Sequence, residues 1–432
     1  MYGEKRGRVR VSHVLRAAVC VLVLAAGVPA AGADVQGYQV AESAMERDLT
    51  PEVSGGTLAA MVAANTGFAF DLYQAIRREE GNLFFSPYSI SAALAMTYAG
   101  ARGSTEAQMA EVLGFLSQED LHAAFNALDL SLQAQTTDED GGFQLNIANA
   151  LWGQLDYTFL QGFLDVLAAN YGAGLHLLDF GGAPEASRLT INDWVAQQTQ
   201  EKIQNLLTPG TITTETVLVL TNAIYFLGKW ATPFEARLTS DGVFHLVDCT
   251  EVTVPMMHER MYQDYAVGEG YQAVQLDYRG CDMSMVLILP DPGWFEAFEA
   301  SLTVERFGDI VAALSWTHMD LTLPKFTFED SFKLGETLQA MGMPDAFDAN
   351  VADFSGMDGK EEIAISDVIH KAFVAVDEEG TEAAAATAVI AVGTGMMPRE
   401  PISVAFDRPF LFAIRDKATS TVLFLGRVLD PS

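Results

Sequence analysis

Basic residues are scarce in this chain. Lys and Arg number 25 against 57 Asp and Glu in 432 residues, a formal net charge of −32. Nucleic acid, anionic membrane and heparin-like polyanions all bind through basic patches, so this balance argues against each of them. It favours solubility and, if any charged partner, a cationic one. Cysteine is nearly absent as well: Cys20, Cys249 and Cys281 are all there are, with no CxxC pair and no neighbouring histidines to suggest a metal site. Export would permit a bridge between Cys249 and Cys281, but nothing in their spacing calls for one, and they read as two unpaired thiols. Apolar runs long enough to span a bilayer are also missing. The motifs of common enzymes are missing too. There is no GxSxG elbow, no HExxH and no phosphate-binding P-loop, and the near miss HERMY at 258 lacks its second histidine. No catalytic residue, metal ligand or cofactor site is therefore assigned.

What is present begins with a leader. Lys5, Arg6, Arg8, Arg10 and Arg16 precede a short apolar run from Ala17 to Val28, and Ala31-Gly32-Ala33 supplies the small residues a signal peptidase reads. Residues 1–33 are read as a signal peptide cleaved near Ala33-Asp34, and the protein as exported to a periplasmic or extracellular space. Without them the chain keeps 20 basic and 56 acidic residues, a net charge of −36. Residues 34–56 are polar and irregular and read as a flexible arm. From 57 to 79, Phe68, Leu72 and Ile76 recur at helical spacing. Ser86-Pro87 opens a helix whose body, Ile90 to Ala99, is small and apolar on nearly every side, as a fully buried helix would be. Residues 187–206 form another helical pattern. Then the texture changes: TVLVLTNAIYFLGKW at 216–230 is β-branched and aromatic, and strand-like stretches recur at 252–257, 271–277, 283–289, 319–328, 369–376, 402–406 and 409–427. Helices early and strands late, without strict alternation, predict an α+β fold. No linker divides residues 57–432, which are read as one domain.

One segment resists both readings. Residues 377–401 run DEEGTEAAAATAVIAVGTGMMPREP, with four consecutive alanines framed by glycines. As a helix it has no apolar stripe, and as an ordinary strand it would pack little. In an extended chain, however, Thr381, Ala383, Ala385 and Thr387 would share one face, while Glu382, Ala384, Ala386 and Ala388 share the other. The first face is small and uncharged, suited to entering a sheet already covered beneath. No proline interrupts 378–397, so no ladder bond would be lost.

Across nearly all of the region after the leader, the chain resembles the serpins. The resemblance rests on NLFFSPYSISAALAM, LTINDWV, LVLTNAIYFLGKW, VPMM, LPKF, ADFSGM, VIHKAFVAVDEEGTEAAAAT and FDRPFLFAIRDKATSTVLFLGRV, in that order. It implies three β-sheets, about nine helices and an exposed reactive-centre loop, here about 378–401. It implies a suicide-substrate inhibitor of serine proteases that forms a covalent complex and, as a monomer, needs no cofactor. The hinge would be Glu378, Glu379, Gly380, Thr381, Glu382, Ala383, Ala384, Ala385, Ala386 and Thr387. The family's seventeen-residue count from Glu378 places the cut at Thr394-Gly395, with Met396 or Met397 as alternatives. A small β-branched residue there suits an elastase- or subtilisin-like pocket. The resemblance further places Ser86, Ser89, Asn222 and His370 in a hydrogen-bonded shutter, and Trp230, Lys325 and Glu378 at the breach where the loop enters. Residues 110–140 are acidic where polysaccharide-activated members are basic, so no heparin-type activation is expected. Inhibition of papain-like cysteine proteases and a non-inhibitory carrier or chaperone role are the alternative functions.

Overall fold

The computed structural model describes residues 37–135, 143–280, 282–381 and 400–432. Ten α-helices, two short 3-10 turns and two large sheets are found among them. The helix Pro87–Tyr98 starts where its sequence says it should: the Ser86 hydroxyl accepts the Ser89 N–H, and proline occupies the first turn. All but one of its residues are buried, as its all-round apolar composition predicts. It packs beneath the sheet that carries the candidate loop.

That sheet has seven strands. In order they are Gln39–Ala41, Leu175–Leu178, Gln144–Gln154, Leu218–Lys229, Gly380–Thr381, Ile365–Val376 and Phe326–Lys333. The two long central strands, Leu218–Lys229 and Ile365–Val376, also pair directly and in parallel, from Ile365↔Leu218 to Phe373↔Tyr225. Only above Tyr225 do they part, and there Gly380–Thr381 lies between them.

The second sheet has nine strands and runs from Ile402–Ala405 through Ser315–Pro324 and Glu251–Gly268 to Leu83–Phe85. The three sheets of the expectation thus count as two by hydrogen bonding. The 18-residue strand Glu251–Gly268 pairs with Ser240–His245 at one end and with Tyr271–Asp277 at the other, fusing two of them. The single strand expected at 319–328 is two: Pro324 ends one in the second sheet and Phe326 begins another in the first, leaving Lys325 at the crossing.

Of the stretch 34–56, read as a flexible arm, residues 38–56 belong to the unit Tyr38–Ser432 and are docked on it. Gln39–Ala41 adds an edge strand to Leu175–Leu178, and Arg47 reaches Asp129 at 2.6 Å. The arm's backbone bonds and its one well-placed guanidinium outweigh its polar composition. Residues 1–36, with the expected signal peptide, lie outside the described residues, as does Cys281; Cys249 is exposed and unbridged. Among the described residues no helix is long and apolar enough to cross a membrane.

Candidate functional site

The top of the gap between the central strands is built by the residues around Glu378. The Glu378 carboxylate accepts Lys325 Nζ at 2.7 Å and Thr239 Oγ1 at 2.8 Å. Burial alone would raise its pKa, but these two hydrogen bonds, one from its own backbone N–H and the Lys325 charge together outweigh burial and hold it below the usual carboxylate value. The backbone is tied as firmly. Trp230 N–H donates to the Glu379 carbonyl and Phe234 N–H to the Glu378 carbonyl, both at 2.8 Å. The Trp230 indole N–H donates to the Asp377 carbonyl at 3.0 Å. Trp230 is fully buried and stacks on Tyr278 with ring centroids 4.7 Å apart. It is therefore both core and hinge support.

Two residues of the loop's start already lie inside the sheet. Gly380 pairs with Lys229, and Thr381 with Gly228 on one side and Val376 on the other. Thr381 is fully buried, its hydroxyl 2.7 Å from the Tyr278 hydroxyl. Gly380 is needed for closeness, not for turning. A Cβ there would stand 2.0 Å from the Gly228 carbonyl oxygen. The sequence also gave no warning of Tyr278 or of Asp377, whose carboxylate accepts the N–H groups of Glu379 and Gly380 and shapes the turn.

Below the entry point the sheet is latched from underneath. His370 and Asn222 are register partners across the two central strands, and His370 Nδ1 bonds Asn222 Oδ1 directly. Ser86 N–H donates to His370 Nε2 at 3.1 Å. Since Nε2 accepts, the proton sits on Nδ1 and is given to Asn222. The Asn222 amide then donates to Ser89 Oγ at 2.6 Å and to Asn149 Oδ1, while Ser89 Oγ donates to Asn149 Oδ1 at 2.9 Å. The structure therefore brings the four expected shutter residues together and adds a fifth, Asn149. Every one of these polar atoms has a partner, which is what a buried network requires.

Burial lowers the His370 pKa to about 3, and it lowers His122 and His176 to about 4. These folded values lie below the ordinary histidine value of about 6.5, so the unfolded chain binds protons that the folded chain refuses. Their contribution to stability is complete above about pH 6.5 and is lost as pH falls toward 3. Asp330, pushed up to about 6 by burial, acts oppositely, as do Asp71, Asp264 and Asp367, which burial raises by less; Glu378, held low, acts with the histidines. The urea midpoint is expected to be flat above pH 7 and to fall steadily below 6.5. The His370 imidazole should give an NMR signal that stays neutral at pH 5; titration near 6.5 would contradict the latch as drawn.

The remaining hinge positions, Glu382 through Thr387, and the candidate cut residues Thr394, Gly395, Met396 and Met397 lie outside the described residues. The chain is described again from Glu400, and Ile402–Ala405 pairs in parallel with the strand Ser315–Pro324. Among the described residues no cluster of His, Cys, Asp or Glu could hold a metal ion.

Comparisons with known proteins agree with this architecture. A family model described as serpin (serine protease inhibitor) matches residues 63–431. The leukocyte elastase inhibitor of Xenopus laevis is 41% identical over 378 residues, covering 85% of this chain and 99% of that protein. The human leukocyte elastase inhibitor is 40% identical over 380 residues, with the same coverage. Among solved structures, the native state of the thermophilic serpin tengpin has a TM-score of 0.79 at 30% identity, covering 91% of this chain and all of that one. Human thyroxine-binding globulin with its ligand gives 0.78 at 33%, covering 87% of this chain and all of that one.

Proposed function

The chain belongs to the serpin family, and from that premise we propose that it is a suicide-substrate inhibitor of elastase- or subtilisin-like serine proteases. One observation carries the reading. Gly380–Thr381 sits at the mouth of a sheet whose central strands are otherwise paired to each other, so the strand is started but the slot below it is shut. The family relation to proteins named leukocyte elastase inhibitor supports the elastase-like choice, as does the small, uncharged Thr394 at the expected cut.

In this mechanism the protease serine attacks the Thr394 carbonyl. The Thr394–Gly395 peptide bond breaks, the Gly395 amine leaves with a proton, and Thr394 is held as an ester. The freed segment from Thr381 onward enters between Leu218–Lys229 and Ile365–Val376, with Glu378, Lys325 and Trp230 guiding the entry and the shutter opening ahead of it. The protease is carried away from its docking position before water completes deacylation. Its oxyanion hole, dependent on placement to a few tenths of an ångström, is distorted. The serpin contributes a cleavable bond and a fast exit; all catalytic groups are the protease's. The basic leader and its apolar run support export of the mature chain.

The experiment is to mix the protein with leukocyte elastase, subtilisin and papain and run denaturing gels. A complex that survives SDS with either serine protease is expected. A complex with papain alone would move the reading to cysteine proteases. Nicking without any complex would favour a non-inhibitory carrier and end the proposal.

A further inference from the structure

A cleft of about 670 Å³ is lined by three segments, none of them part of the hinge slot. One is the turn between the strands Ser240–His245 and Glu251–Gly268. The second is 290–296, at the end of the strand Met283–Pro290, and the third is 407–409, before the strand Phe410–Asp416. The walls are braced from within. His245 N–H donates to the Asp407 carbonyl at 2.8 Å, and Arg408 Nε donates to the Pro290 carbonyl at 3.0 Å. The turn is closed by Leu246 N–H, which donates to the Thr250 carbonyl at 2.8 Å. Leu246, Val247, Pro292, Phe295 and Pro409 give the cleft an apolar lining, and Val247 is 45% exposed. A preformed, mainly apolar hollow of this size with a few polar groups is what small-molecule sites share.

Charge decides the kind of ligand. Arg408 Nη1 already holds Asp407 at 3.0 Å, and His245 lies 3.4 Å from Glu251, so each basic group at the cleft faces a carboxylate of its own. Asp291 and Glu296 remain. Among the described residues neither carboxylate has a hydrogen-bond or ion-pair partner. An anion entering the cleft would meet these two charges unopposed. A cation would be drawn to them, and the chain's net charge of −32 raises the local concentration of cations further. The apolar walls require that the same molecule carry a hydrocarbon body.

We propose that this cleft binds a small lipophilic amine, with its ammonium group beside Asp291 and Glu296 and its body on Val247, Phe295 and Pro409. Burial of the body supplies most of the affinity. The head contact, at a water-exposed rim, adds little strength but selects the sign of the charge. Cys249 lines the same cleft and is exposed, so an occupant covers its thiol. The site uses no residue of the reactive-centre loop and stands or falls apart from the inhibitor reading.

The test titrates the full chain with decylammonium, decanoate and decanol, which share one body and differ in the head. Calorimetry is expected to give one decylammonium per chain. Decanoate should bind about tenfold more weakly, since both rim carboxylates attract one head and repel the other. The double variant Asp291→Asn/Glu296→Gln should bring decylammonium to the level of decanol, with thermal unfolding as a check on folding. Added salt should move the parent in the same direction. Alkylation of Cys249, read by peptide mass spectrometry, should slow severalfold at saturating decylammonium. Any of three results with the parent would overturn the inference. They are no decylammonium bound, equal affinity for all three probes, and Cys249 alkylated equally fast with and without decylammonium.

Discussion

Cutting the chain between residues 382 and 399 is expected to raise its thermal unfolding midpoint by at least about 12 °C. The figure takes ~10 new backbone hydrogen bonds at ~1 kcal/mol each and an unfolding entropy of about 2.1 cal/mol/K per residue. Over the 395 residues of the unit Tyr38–Ser432 that entropy is about 0.8 kcal/mol/K. Three observations make the gain available only after cleavage. Leu218–Tyr225 and Ile365–Phe373 are satisfied by each other, so the sheet has no free edges at its centre. Gly380–Thr381 shows which way a third strand would run, antiparallel to both, which is the orientation that adds two full ladders. And Ile402–Ala405 is fixed in the other sheet, so an uncut segment is held at both ends. A single nick removes one restraint. Limited proteolysis followed by calorimetry measures the shift, and an unchanged or lower midpoint in the nicked protein would contradict insertion.

The latch sets how long the uncut form lasts. His370 and Asn222 bond across the two strands that must separate, so insertion breaks the network that stabilises the closed sheet once it has parted the three register pairs above it, Phe373–Tyr225 to Lys371–Ala223. Because His370 is wholly buried and neutral, it cannot recover the lost bond from solvent. The closed state is thereby held by local, directional contacts, and the open one favoured by a whole strand of them.

Much of this was legible in the residues. Leu218–Lys229 and Met283–Pro290 are buried along nearly their full length, and continuous apolar runs declare such strands plainly. Ser86-Pro87 marked its helix because cap and first-turn chemistry are local. The strand Gln144–Gln154 was not legible, since Asn146, Asn149 and Gly153 interrupt its apolar pattern. Asn149 is polar because the shutter needs it, so a functional residue disguised the element that carries it. Gln39–Ala41 and Leu83–Phe85 are three residues long, too short for any period to show. Tyr278 follows a strand, makes an isolated bridge to Trp230 and meets Thr381 from 103 positions away, a contact no local pattern encodes. Gly380 is placed in the hinge by the resemblance, but nothing local shows why it must be glycine. A glycine suggests conformational freedom, whereas here the Gly228 backbone excludes any Cβ.

That same slot makes the hinge the place where one substitution should change the outcome of the reaction. Thr381→Arg is expected to turn the inhibitor into a substrate, with the number of inhibitor molecules consumed per protease rising by about a hundredfold. Thr381 has no exposure, and its hydroxyl lies 2.7 Å from the Tyr278 hydroxyl. A guanidinium placed there would lose its hydration with no carboxylate to replace it, a cost of several kcal/mol for an unpaired charge, so the uncut variant would hold residue 381 out of the slot and insertion would have to bury it. Each 1.4 kcal/mol added to the insertion barrier shifts the competition between insertion and hydrolysis about tenfold. About 3 kcal/mol, part of that cost, therefore suffices for a hundredfold. The cut bond and its neighbours are untouched, so the rate of attack on the loop should stay near that of the parent. Gly380→Val tests the same slot by volume in place of charge, since its Cβ would displace the Gly228 carbonyl, and Thr381→Ser should behave as the parent does. Titrating active protease against each variant gives the stoichiometry. A value for Thr381→Arg equal to the parent's would mean that the hinge does not pass through this slot, whatever else the loop does.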